Sequence, residues 1–189
     1  MNQEFYDVIE ANPVIAAIKD EKGLKRCCEL EEIKVVFVLH GDICNIVDTV
    51  DALHKAGKIA IVHADLMEGM SAKEAAIEYI KKVVHADGII STKPLLIKKA
   101  RELSLYTILR VFVLDSIALK NIEQQLILAK PDMLEILPGL MPKIIRQVSK
   151  ESKVPVIAGG LISEKKDVVD ALLAGAISVS TTNPDVWIA

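Results

Sequence analysis

The stretch VIAGGLISEKKDVVDALLAGAISVSTTN, residues 156–183, decides the fold. It opens on a β-branched run that breaks at Gly159 and Gly160. It closes on a second such run that ends in four small polar residues, Ser180, Thr181, Thr182 and Asn183. Between the two, EKKDVVDALLAG spaces its apolar residues at helical period and stops at Gly175, a residue suited to a helix C-terminus. Strand, helix, strand in so short a span is one unit of a parallel α/β fold.

The unit recurs along the chain. β-branched runs occupy Pro13–Ile18, Ile33–His40, Lys58–Ala64, Gly88–Thr92, Tyr106–Leu114, Asp132–Leu137, Val154–Ala158 and Ala176–Ser180. Segments of helical period such as DTVDALHKAG, PLLIKKARELS and IALKNIEQQLILA lie between them. Pro94 suits a first helical turn, Ser71 an N-cap with Glu74 three residues on, and Gly57 a C-terminal cap. Eight strands alternating with helices predict a (β/α)8 barrel with short loops, because 189 residues fall just below its usual size. Few residues follow the eighth strand, so the last helix is expected as a stub around Pro184–Trp187. A doubly wound open sheet fits less well: its Gly-rich phosphate turn should follow the first strand, where IKDEKGLKR stands instead.

Composition sets outer bounds. With 51% apolar residues and no Pro/Gly/Ser-rich linker, the chain reads as one domain around one core. No apolar run is long enough to span a membrane and no signal-peptide pattern opens the chain, so a soluble, cytoplasmic protein is expected. A net charge of −3 argues against broad non-specific binding to nucleic acid. Cys27, Cys28 and Cys44 offer neither a disulfide framework nor zinc spacing, and no metal or cofactor is expected.

In such a barrel, ligands bind where the strands end, and phosphate is often held by the loops after strands seven and eight. Gly159 and Gly160 follow strand seven; Ser180, Thr181, Thr182 and Asn183 follow strand eight. Glycine lets backbone N–H groups approach an anion, and hydroxyls and amides donate to it. The plainer reading is a tight turn and a helix cap. The same face should gather Lys19, His40, Asp65, Lys93, Arg110 and Glu135 as a polar cup. Arg110 lies mid-strand among apolar residues and needs a partner if buried, for which Glu135 on the next strand is the natural candidate. The lysines could equally be exposed loop residues, and the two acids caps or structural ion-pair members. His63 reads as a satisfied core histidine, and His54 and His85 as surface residues. Asp65 and Glu135 could pair as acid and base, and Lys93 could serve as a Schiff-base lysine. No HExxH, CxxC, GxSxG or P-loop supports catalysis.

The stretches HADLMEG (63–69), DGIISTK (87–93), RVFVLDS (110–116), PDMLEILPGLMPKII (131–145) and PVIAGGLISEKKDVVDALLAGAISVSTTNPDVW (155–187), with FVLHGDI (37–43), resemble the GlpP family. These are glycerol-3-phosphate-responsive antiterminators of bacterial glycerol-uptake operons. The chain departs from the pattern at Leu109, at Ser163 where a basic residue is common, and in ending at Ala189. The resemblance implies a barrel that binds glycerol 3-phosphate without chemistry and, when loaded, acts on leader mRNA. Phosphate would sit at the two glycines and Ser180–Asn183, and the glycerol hydroxyls at Asp65, Glu135 or Lys19. For RNA, Lys143, Arg146 and Lys150 share one face of the sixth helix, whereas Lys98, Lys99, Arg101, Lys165 and Lys166 form smaller clusters. Such clusters are usually solvated faces, and aromatic residues that could stack on bases are few. A homodimer would align two weak patches. The alternatives are a phosphosugar enzyme, prenyltransferase-like or aldolase-like, on the same barrel, and a sensor that acts on a protein.

Overall fold

Eight parallel strands close into a barrel in strict sequence order, β1 to β8, in the computed structural model, which describes residues 3–188. They are β1 (Val14–Ile18), β2 (Val35–Val38), β3 (Ile59–His63), β4 (Gly88–Ser91), β5 (Tyr106–Phe112), β6 (Met133–Leu137), β7 (Val156–Gly159) and β8 (Ser178–Thr181). Each expected β run overlaps one of them; β7 and β8 each extend one residue past their runs, to Gly159 and Thr181. The strands are a residue or more shorter than the runs at most ends, because an apolar run continues past the last ladder hydrogen bond. Pairing of β1 with β8, Ile15 opposite Ser180, shuts the barrel and removes every sheet edge.

Helices α2 (Glu21–Glu29), α3 (Ile46–Lys55), α4 (Glu74–Tyr79), α5 (Pro94–Glu102), α6 (Ser116–Ala129), α7 (Pro142–Glu151) and α8 (Lys165–Leu173) follow β1 to β7 in turn. After β8 the described residues form a 3-10 turn, Pro184–Val186, where the stub was expected. Gly57 and Gly175 take φ of +70° and +108° just past α3 and α8, the left-handed termination expected of them. Ser71 does not cap α4. That helix starts at Glu74 with Lys73 in the cap position, and it continues into a π-helical turn, Ile80–Val84, that ends on left-handed His85.

Alternation along the strands divides the apolar residues into two layers. Val36, Val62, Ile89, Leu134 and Val179 face outward against the helices. Ile15, Phe37, Ile61, Ile108, Met133 and Ile157 fill the barrel itself. One helix has no counterpart in the sequence reading. α1 (Gln3–Ala11) precedes β1 and sends Phe5 and Ile9, both with no solvent exposure, into that inner layer. Phe5 stacks on Tyr106 at a centroid distance of 4.2 Å, so α1 closes the N-terminal end of the barrel. With the bottom plugged, access to the interior is from the strands' C-terminal ends.

Candidate ligand site at the barrel mouth

One pleat above the apolar inner layer, the inward residues turn polar. They are His63 above Ile61 on β3, Arg110 above Ile108 on β5, Glu135 above Met133 on β6, and Ser180 on β8. The β5–β6 register sets Arg110 directly beside Glu135, the pairing anticipated from their positions on neighbouring strands. Glu135 is fully buried. Its Oε2 accepts from Arg110 Nε at 2.5 Å and its Oε1 from the Ser180 hydroxyl at 2.5 Å. A buried carboxylate is tolerable only with such complete compensation. The terminal nitrogens of Arg110 donate no hydrogen bond to the described residues.

This network also explains Gly159. A Cβ there would overlap the Glu135 carboxylate and the Ser180 hydroxyl. The first glycine of the pair therefore makes room for a buried side chain, a reason the sequence did not disclose. Gly160, at φ +75°, is the true turn glycine of the β7–α8 loop.

The polar run after β8 divides by task. Ser180 points inward to Glu135. Thr181 points outward, its hydroxyl donating to Ile162 O at 2.7 Å and accepting from Asn183 N–H. Asn183 donates to Ser163 O at 2.9 Å and accepts from Asp185 N–H at the start of the 3-10 turn. Two of the four side chains, Thr181 and Asn183, thus bind the β7 and β8 loops to each other, and Thr182 alone of the four is exposed. Beside Thr182 lies Lys19, at the end of β1; with Lys22 and Asp185 they line a groove of about 640 Å³ between α2 and the 3-10 turn. Lys19 is exposed and forms no ion pair among the described residues.

Asp65, after β3, is already saturated. It accepts from Ser91 Oγ at 2.9 Å, Thr92 N–H at 2.7 Å, Thr92 Oγ1 at 2.9 Å and Lys93 Nζ at 3.2 Å. Burial works against its ionisation, but these donors outweigh burial and hold the carboxyl below its usual range. Lys93 follows the outward face of β4 and occupies the N-cap position of α5, with its ammonium returned to Asp65. Asp65 and Lys93 are a strut between β3 and β4.

His63 is not the satisfied core histidine expected. It is 3% exposed, yet its Nδ1 has no hydrogen-bond partner among the described residues. Burial, aided by the positive charge of Arg110, pushes its pKa down to about 4, so the ring is neutral near pH 7. His40, just past β2, is half-buried with its Nε2 equally unpartnered. His54 differs from expectation too, since its Nε2 lies 2.9 Å from Asp87 in a half-buried pair at the closed end. His85 is exposed.

Among the basic clusters, ion pairing separates one from the rest. Lys99 is engaged by Glu74 and Glu78, and Lys166 by Asp170. Lys143, Arg146 and Lys150 on α7 are exposed and carry no salt bridge among the described residues. No cluster of three metal-ligating side chains occurs among the described residues, and no helix there is long and apolar enough to cross a membrane.

A closed (β/α)8 barrel, plugged below and opening above onto a charge-compensated polar layer, defines the class: a parallel α/β barrel open at its C-terminal mouth. The chain belongs to the glycerol-3-phosphate responsive antiterminator family, whose model matches residues 14–187. It is 44% identical over 180 residues to the uncharacterized protein YgcP of Escherichia coli K12, covering 95% of this chain and 94% of that one. The crystal structure of the glycerol uptake operon antiterminator regulatory protein of Listeria monocytogenes superposes with a TM-score of 0.89 at 31% identity, covering 93% of this chain and 95% of that one. A related Thermotoga maritima protein gives 0.83 at 31% identity, covering 94% and 99%. A deoxyribose-phosphate aldolase from Coccidioides immitis, at 14% identity and a TM-score of 0.71, shares the fold alone.

Proposed function

We propose that this protein is a regulatory sensor that binds glycerol 3-phosphate at the barrel mouth and, when loaded, acts on leader mRNA. The observation that carries the reading is the rim at β8 and β1. There the unpaired Lys19 stands in one groove with exposed Thr182, beside the tied β7–β8 loops. A phosphate there would meet the free Lys19 cation, with Lys22 beside it, and the Thr182 hydroxyl. Ligand binding that favours one of two states of these loops is all a sensor needs. An aldolase-like reading would rest on Lys93, but that lysine is exposed and ion-paired rather than desolvated in an apolar pocket.

Lys19→Glu tests the ligand half. It reverses an exposed charge and leaves the fold alone, unlike a side chain at Gly160, where φ of +75° adds strain of its own. Calorimetry should show affinity for glycerol 3-phosphate reduced at least about tenfold. Unchanged affinity removes the phosphate from this rim. The RNA half rests on α7. Replacing Lys143, Arg146 and Lys150 together by Gln should abolish leader-RNA retention at low salt while glycerol 3-phosphate still binds. Retention equal to wild type moves the RNA surface elsewhere.

A further inference from the structure

We propose that the inner polar layer recognises the uncharged end of a phosphorylated polyol, with His63 Nδ1 as the hydrogen-bond partner of a ligand hydroxyl. The inference rests on the rim reading above and fixes which way round the ligand enters. Fixed charges in the layer and just above it cancel locally. Arg110 is paired with Glu135, and Asp65 with Lys93. His63 adds no charge, since its ring is neutral. A dianion pushed this deep would face the buried Glu135 carboxylate; hydroxyls would not. Phosphate therefore stays at the rim with Lys19, and the polyol points down.

The layer offers such a ligand two kinds of group. Nδ1 of His63 lies in a side chain only 3% exposed, with no partner of its own. A buried polar atom left unpaired costs stability in the empty protein and is retained where something else completes it. The terminal nitrogens of Arg110, held in place through Nε by Glu135, supply further donors. Asp65 already accepts four hydrogen bonds and is not the hydroxyl acceptor, while each Glu135 oxygen is committed once, to Arg110 or Ser180.

The test uses His63→Leu and His63→Asn, with glycerol 3-phosphate, inorganic phosphate and 3-phosphoglycerate titrated into each by calorimetry. His63→Leu should bind glycerol 3-phosphate about tenfold more weakly. Its affinity for inorganic phosphate should not change, and it should melt at or above the wild-type temperature because an orphan polar group is gone. His63→Asn, whose amide reaches the place of Nδ1, should restore most of the affinity. 3-Phosphoglycerate, with a carboxylate in place of the terminal alcohol, should bind wild type more weakly than glycerol 3-phosphate. Undiminished glycerol 3-phosphate binding by His63→Leu, or equal affinity for 3-phosphoglycerate, overturns this orientation and leaves the rim site standing. Failure of wild type to bind glycerol 3-phosphate at all overturns both.

Discussion

Single side chains in the mouth trade stability against readiness for a ligand. Arg110 and Glu135 show one side of that trade, since neither is tolerable without the other. Arg110→Met strands a fully buried carboxylate and should lower unfolding free energy by about 3–5 kcal/mol in urea titrations. Adding Glu135→Leu should recover most of that loss, because the cost lies in the uncompensated charge; a double variant as unstable as the single would refute this. His63 shows the other side. Its folded-state pKa of about 4 lies below the ordinary 6.5, so the unfolded chain takes up the proton first as pH falls. The neutral ring's contribution is complete above pH 6.5 and drains away towards pH 4, by up to about 3 kcal/mol for the whole window. Asp65, held below 3.8, adds its own loss only at lower pH. Melting temperature against pH should therefore fall between 6.5 and 4 in wild type and be flatter in His63→Leu. Parallel curves would show that the ring protonates freely in the folded state.

At the scale of elements, the eight strands and the stub after β8 were legible because buried parallel strands are continuous β-branched runs with little polar interruption. α1 was missed. Its signal is thin, Phe5 and Ile9 four apart with Tyr6 and Val8 beside them, and it matters only through contact with Tyr106 a hundred residues on. Phe5→Ala should cost about 3–5 kcal/mol on the buried aromatic alone, read by thermal unfolding; a loss under about 1 kcal/mol would mean that α1 does not plug the barrel. The mouth was legible in address but not in detail. Position near strand ends located Glu135, Ser180 and Gly159, and a lone charge in the apolar run of β5 located Arg110. Which hydroxyl turns inward, and that Gly159 makes way for a carboxylate, depends on register between strands far apart in sequence. The saturation of Asp65 by Ser91, Thr92 and Lys93 is likewise a matter of three-dimensional packing.

For the molecule as a whole, the closed barrel gives two ends with different work. The lower end is sealed by α1 and contributes stability, as do the internal bonds from buried Lys58 Nζ to the Leu30 and Ile33 carbonyls. The upper end carries an unpaired cation at the rim and unfilled hydrogen-bonding capacity beneath it. The chain's family is that of the glycerol-3-phosphate responsive antiterminators, and Listeria and Thermotoga structures share its shape. The basic face of α7 lies outside the mouth, so effector and RNA would occupy separate surfaces, linked through the loops that follow β6 and β7. The central claim is that this mouth selects glycerol 3-phosphate. Isothermal titration of the full chain with glycerol 3-phosphate, glycerol and inorganic phosphate tests it most directly. Glycerol 3-phosphate should bind saturably and at least about tenfold more tightly than phosphate or glycerol alone. Equal affinity for phosphate and glycerol 3-phosphate, or no binding of either, would contradict it.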